Sequence, residues 1–213
     1  RLIELRHLRK EFDGVTPLQD VNAVINDGDI VSVIGPSGCG KSTMLRCINM
    51  LETPTSGKIL IDGEDVTDPK CDLGKIRQKV GMVFQSFHLF GHLKVIENVM
   101  LAPVDLLGLS RQEAYDRGMF LLKTVGLAEK AMNYPDELSG GQKSKVLLLG
   151  LSLSGANVLI LDEPTRNFSP ISGPVIRHML KEFPGAIISV SHDRRFLSEV
   201  CDAVYRLSDT GLS

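Results

Sequence analysis

No apolar run in this sequence is long enough to cross a membrane. The longest, Val146 to Leu161, is broken by Ser152, Ser154, Gly155 and Asn157 and reads as a helix, a turn and a strand. Any membrane association would come through a partner. Neither charge is in excess, since 24 basic and 26 acidic residues leave a formal net charge of −2. Composition therefore gives no polycationic surface, and no nucleic acid partner is expected. The four cysteines, Cys39, Cys47, Cys71 and Cys201, form no C-x-x-C pair. Cys39 lies in a glycine-rich loop where a disulfide would obstruct a ligand, so a reducing, cytoplasmic compartment is expected. Repeats, low-complexity linkers and heptad segments are also missing. The chain opens at Arg1 with neither a signal-like segment nor a methionine, the pattern of a trimmed chain.

What is present suffices for one large core: 43% of the 213 residues are hydrophobic. Loose alternation over Leu2 to Leu8 and Leu18 to Ile25 predicts strands, and Asn26-Asp-Gly28 a turn before a buried strand at Ile30 to Ile34. Lys41 to Leu51 reads as a helix closed by Pro54 and Gly57, and Lys58 to Ile61 and Val80 to Phe84 as strands. Helical spacing prevails from Val95 to Tyr134 and again over Ser139 to Leu151. Then strands at Val158 to Leu161, Ala186 to Val190 and Ala203 to Leu207 alternate with helices at Ile171 to Phe183 and Arg194 to Val200. Helices between wholly apolar strands predict an α/β fold with a mainly parallel, covered sheet. A β-rich region precedes it, and a helical subdomain over about residues 90–150 interrupts it, all within one domain spanning 1–213.

The chemistry is carried by three segments. Gly35, Pro36, Ser37, Gly38, Cys39, Gly40, Lys41, Ser42 and Thr43 fill the pattern G-x-x-x-x-G-K-[ST] directly after the Ile30 to Ile34 run. Glycines let such a loop curl until its N–H groups face phosphate oxygens, and the dipole of the following helix adds positive potential. Lys41 would reach the β- and γ-phosphates of a nucleoside triphosphate, and the Ser42 hydroxyl would face Mg²⁺. Val158-Leu-Ile-Leu-Asp-Glu163 is a buried strand ending in two carboxylates, suited to holding Mg²⁺ through Asp162 and activating water through Glu163. Leu138-Ser-Gly-Gly-Gln142 places a serine and two glycines at a helix start, a second anion site. One phosphate loop already serves its own nucleotide, so this second site would serve another.

Together these segments resemble the ATP-binding cassette (ABC) ATPases, and the resemblance covers nearly the whole chain. It implies a P-loop NTPase core with an antiparallel β region and an α-helical signature subdomain. It also implies Mg²⁺-dependent hydrolysis of ATP in a head-to-tail homodimer, where Ser139, Gly140, Gly141 and Gln142 close over the ATP of the opposite copy. By the same resemblance Gln85 contacts the metal, His192 binds the γ-phosphate and orients the attacking water, and Phe12 stacks on adenine. Taken alone, Phe12 also reads as a core residue and His192 as a structural one.

Residues 1 to about 142 resemble ATPase subunits of bacterial importers for polar amino acids, through Leu45 to Leu51, Val80 to Phe90, Glu97-Asn-Val99 and Tyr134-Pro135. The resemblance implies permease subunits as partners, placing the chain at the inner face of the cell membrane. Phe87, Leu89 and Phe90 would then line an apolar cleft for a permease helix, or else simply pack against the helical subdomain. Beyond the signature, Ser191-His-Asp-Arg-Arg-Phe-Leu197 is more similar to soluble ABC-F proteins, which act on ribosomes. Ser169, within Arg166-Asn-Phe-Ser-Pro170, stands where the family's D-loop has aspartate, so weakened dimer coupling is expected. The chain stops at Ser213 without the elements that usually follow in importer subunits, which leaves a trimmed chain, a chimera of two cassettes and a compact natural variant as readings.

Overall fold

A computed structural model describes residues 1–36, 38–83, 89–105, 107–162, 172–208 and 211–213. β1 (Ile3–Phe12) and β2 (Val15–Ile25) make an antiparallel hairpin that turns at Asp13-Gly14, where Gly14 takes a φ of 75°. With β4 (Ser56–Ile61) and β5 (Glu64–Asp65) they form an antiparallel sheet in the order β2-β1-β4-β5. Its inner face buries Ile3, Leu5, Leu8, Leu18, Val21, Ile59 and Ile61. Each such side chain contributes about 1.5–3 kcal/mol by leaving water.

The second sheet contains β3 (Ile30–Ile34), β6 (Val80–Val83), β7 (Val158–Asp162), β8 (Ala186–Val190), β9 (Ala203–Ser208) and β10 (Gly211–Leu212). Their order is β10-β9-β3-β8-β7-β6, parallel throughout except for β10 against β9. The largely apolar runs of β7 and β8, buried at every position, are explained by cover on both faces. Val31, Val33, Val158, Ile160 and Ile188 join the core shared with the antiparallel sheet and α1 (Lys41–Ile48). Leu159, Leu161 and Ile187 face the other way, onto Ile176 and Leu180 of α6 (Ser172–Lys181) and Phe196 of α7 (Arg194–Glu199).

A separate apolar cluster joins α3 (Val95–Asp105), α4 (Arg111–Thr124) and α5 (Gly140–Leu153) through Val95, Val99, Ala114, Leu122, Val146 and Leu149. The continuous helical spacing from Val95 to Tyr134 resolves into two helices, because Ser110 starts α4 anew. Its hydroxyl accepts from the Glu113 amide at 3.2 Å, and the Glu113 carboxylate accepts from the Ser110 amide at 3.3 Å. α1 stops at Ile48 rather than Leu51, since Asn49 caps it and Met50 enters the left-handed region at a φ of 62°. All four cysteines are free, and burial pushes the thiols of Cys47 and Cys201 up to about 11.

Candidate active site

Three parallel strands deliver the site. β8 lies between β3 and β7, and Val33, Val190 and Asp162 stand level across them. The segments leaving the carboxyl ends of these strands therefore converge, the position where open α/β sheets bind ligands. They enclose a cleft of about 380 Å³ lined by Phe12, Gly38, Gly40, Lys41, Ser42, Thr43, Asp162 and His192, with Pro17 and Val190 at its wall. Phe12 arrives from the antiparallel sheet, so the cleft joins both sheets.

The glycine-rich loop is shaped by close approach. Gly40 has a φ of 95°, and a Cβ there would stand 2.7 Å from the Pro17 carbonyl oxygen, so only glycine fits. Gly40 caps α1 without a side chain, and the first turn of α1 carries no acidic residue. The amide-rich end of the helix and its dipole are thus directed at the cleft without a competing carboxylate. Lys41 is 8% exposed, and its ammonium donates to the carbonyls of Gly35 at 2.7 Å and Pro36 at 2.8 Å, with Cys39 Sγ at 3.8 Å. Gly35, Pro36 and Cys39 are thereby held to the lysine, though they do not line the cleft.

Across the cleft the Ser42 hydroxyl donates to Asp162 Oδ2 at 3.0 Å. The other carboxylate oxygen, Oδ1, is buried and has no hydrogen-bond partner among the described residues. An orphaned buried oxygen is costly unless something else meets it. His192 is exposed between Ser191 and Asp193. Those neighbours fix the local path: the Asp193 amide donates to Ser191 Oγ at 3.1 Å, and the Asp193 carboxylate caps α7 by accepting from the Arg195 and Phe196 amides.

Ser139, Gly140, Gly141 and Gln142 lie elsewhere, at the start of α5. Ser139 Oγ accepts from the Gln142 amide at 3.2 Å and Gln142 Oε1 from the Ser139 amide at 2.9 Å, a reciprocal cap on an exposed serine. None of the four lines the cleft. Ser37, Gln85 and Glu163 fall outside the described residues, as do Phe87 and the Arg166 to Pro170 segment. Leu89 and Phe90 line an apolar groove of about 330 Å³ with Leu101, Ala102, Val146 and Leu147, and Phe90 is 55% exposed. Lys10, which sequence reasoning did not single out, stands against the Phe12 ring. Only its spacing of two from Phe12 along one strand, which puts both on the same face, hinted at the pairing.

A phosphate loop entering a helix beside a carboxylate-ended parallel strand defines a P-loop nucleoside triphosphatase. The family model for "ABC transporter" matches residues 18–166, and the chain belongs to that family as an ATP-binding, ATP-hydrolysing cassette. It is 40% identical to the arginine transport ATP-binding protein ArtM of Bacillus subtilis over 206 residues, 95% of this chain and 86% of that one. It is 42% identical to the glutamine transport ATP-binding protein GlnQ of Escherichia coli over 202 residues, 93% and 84% of the two chains. These matches run well past the signature, so similarity to transport subunits is not confined to the first two-thirds. Among solved structures, the ATP-binding cassette MJ0796, in a dimeric post-hydrolysis state bound to ADP and Pi, superposes with a TM-score of 0.87 at 32% identity, covering 100% of this chain and 97% of that one.

Proposed function

We propose that this cassette is the energy-coupling subunit of an importer for polar amino acids, working as a head-to-tail homodimer beneath integral-membrane permease subunits. The observation that carries the reading is the convergence of Phe12, Lys41, Ser42, Asp162 and His192 on one cleft. Relatives named for arginine and glutamine transport point to the substrate class. In this reading the chain acts as one nucleotide-binding domain, with α3 to α5 as its helical subdomain. Phe12 stacks on adenine, and the loop from Gly35 to Thr43 takes the phosphates on the amides of its residues other than Pro36 and on the α1 terminus. Lys41 exchanges the Gly35 and Pro36 carbonyls for β- and γ-phosphate oxygens. Glu163 accepts a proton from the water that attacks the γ-phosphorus, and His192 holds a γ-phosphate oxygen and aligns that water.

The Ser42 hydroxyl and the half-satisfied Asp162 carboxylate are adjacent hard oxygen donors, which fits Mg²⁺, with Gln85 as a third oxygen. Held by these residues, Mg²⁺ would supply positive charge to offset that of the phosphates. No group of three or more His, Cys, Asp or Glu side chains converges among the described residues. Water and nucleotide would complete the coordination, the usual arrangement for this ion.

Ser139 to Gln142, reciprocally capped at the start of α5 with Ser139 exposed and none of the four lining their own cleft, serve the nucleotide of the other copy. The apolar groove around Leu89 and Phe90 receives a permease helix, which brings the chain to the cytoplasmic face of the membrane. No helix among the described residues is itself long and apolar enough to span one.

Purification in detergent after expression in a permease-bearing host tests the importer reading. The chain is expected to co-elute with an integral-membrane protein, and a polar amino acid with its binding protein should raise the ATPase rate of the complex. Co-sedimentation with ribosomes and no membrane partner would favour the soluble alternative instead.

A further inference from the structure

The cation held against the Phe12 ring has no part in the site as described so far. Lys10 Nζ stands 4.8 Å from the ring centroid. The same ammonium donates to the Thr53 carbonyl at 2.7 Å and lies 3.5 Å from Glu52 Oε2. Its side chain is 14% exposed, whereas Phe12 is 43% exposed. The cation is therefore fixed from behind, and the ring is what it presents to solvent. The segment that fixes it follows the phosphate-loop helix directly: the Glu52 amide donates to the Arg46 carbonyl of α1 at 3.1 Å. That segment is also stitched to β1 on both sides of Lys10, through the Thr55 amide to the Arg9 carbonyl at 2.8 Å and the Glu11 amide to Thr55 Oγ1 at 2.9 Å.

We propose that Lys10 is a positioning residue for the nucleobase, clamping the Phe12 ring from the side away from the cleft and tying it to the segment behind the phosphate-loop helix. The inference rests on the reading that Phe12 stacks on the base. Phe12 lines the cleft, whereas neither Lys10 nor the Glu52 and Thr53 that hold it is among the lining residues, and in this proposal the cation takes the ring face opposite the cleft. A cation over one face of an aromatic ring is attracted by the quadrupole and draws electron density from the other face. The cleft face becomes a better platform for an electron-rich purine. An exposed phenyl ring would otherwise lose rotamer freedom when the base arrives, and a ring already pinned loses less. Because Glu52 and Thr53 follow α1 in sequence, the clamp also sets the distance between the base platform and the phosphate loop.

Calorimetric titration with Mg²⁺-ATP and, separately, with Mg²⁺-tripolyphosphate, which has the phosphates but no base, tests the proposal. Lys10→Met should weaken ATP binding by about three- to tenfold, the range of a partly desolvated cation–π contact. Tripolyphosphate affinity should be unchanged, and Lys10→Arg should keep the wild-type ratio of the two. In a Phe12→Ala background, Lys10→Met should add nothing. Equal weakening of both ligands, no weakening of either, or an Arg variant as poor as Met would overturn the proposal. If Lys10→Met does not fold, Lys10→Gln, which keeps a donor for the Thr53 carbonyl without the charge, takes its place with the same expectations. If Phe12→Ala lowers the ATP-to-tripolyphosphate ratio and the Lys10 variants do not, the clamp is wrong and the stacking reading stands. If Phe12→Ala leaves that ratio unchanged, both fall.

Discussion

Glu163→Gln should bind ATP as the wild type does yet turn it over roughly 10²- to 10⁴-fold more slowly, the usual contribution of a positioned general base. The five residues of β7, from Val158 to Asp162, are all buried, and the carboxylate of the last meets Ser42. Asp162 is thereby committed to the phosphate and metal side of the cleft. In the proposed mechanism the following carboxylate in the chain, Glu163, is the one that accepts a proton. Glutamine preserves shape and one acceptor oxygen but cannot take that proton near neutral pH. If hydrolysis separates the two copies of the proposed dimer, the variant should also accumulate as an ATP-bound dimer visible by size-exclusion chromatography. Turnover at the wild-type rate would remove Glu163 from the mechanism while leaving the binding site intact.

Replacing Lys41 by alanine acts one step earlier, on binding. Lys41 is the only cationic side chain between Gly35 and Thr43. Among the described residues its ammonium is held within the loop by two carbonyls, at 2.7 and 2.8 Å, rather than by an acidic partner. Exchanging neutral carbonyls for phosphate oxygens gains charge-assisted hydrogen bonds, and hydrogen bonds to charged groups are worth about 1.5–3 kcal/mol. Lys41→Ala should therefore weaken ATP by about 10- to 100-fold at 25 °C. It also leaves the Gly35 and Pro36 carbonyls without their donor, so a modest loss of thermal stability in the ligand-free protein is expected alongside. Isothermal calorimetry on a variant shown to be folded by circular dichroism separates the two effects. Unchanged ATP affinity there would contradict the assignment of the phosphate loop.

How far the sequence made this legible differs from element to element. β3, β7 and β8 are apolar at nearly every position because both faces are covered, and it is their five-residue length between turn signals that marks such runs as strands rather than buried helix. The phosphate loop and the carboxylate-ended strand were legible for a related reason, since each motif requires the strand before it. α2 (Leu73–Lys79) left no such trace: its apolar residues are the one i,i+3 pair Leu73 and Ile76, of which only Ile76 is fully buried, too few to set a period. Its real signal was Asp72, whose carboxylate accepts from the Gly74 and Lys75 amides. β2 begins at Val15, earlier than the alternation from Leu18 indicates, because Pro17 sits inside the strand. The two-residue β10 is too short to carry any pattern, and it is placed by pairing with Leu207 and Ser208.

Within the site, the sequence named the residues of the cleft but could not say which of them touch. That Ser42 meets Asp162 follows from β8 lying between β3 and β7, a strand order that crosses long stretches of chain and has no local signature. Lys10 is the sharper omission, since a lysine on an otherwise ordinary strand reads as a solvated charge. Only the return of the Glu52-Thr53 segment onto β1 turns it into a ring contact.

The most direct test of the whole account is the rate of phosphate release from Mg²⁺-ATP by the wild-type chain, measured against protein concentration. If two copies complete each other's sites through Ser139 to Gln142, the rate per chain should rise with concentration and level off only as dimers fill, and chelation of Mg²⁺ should abolish it. The serine at position 169 should move that rise to higher concentration, and Ser169→Asp should move it back. A rate per chain that is flat across the whole range would show that each cleft works alone, and the absence of phosphate release at every concentration would contradict the account itself.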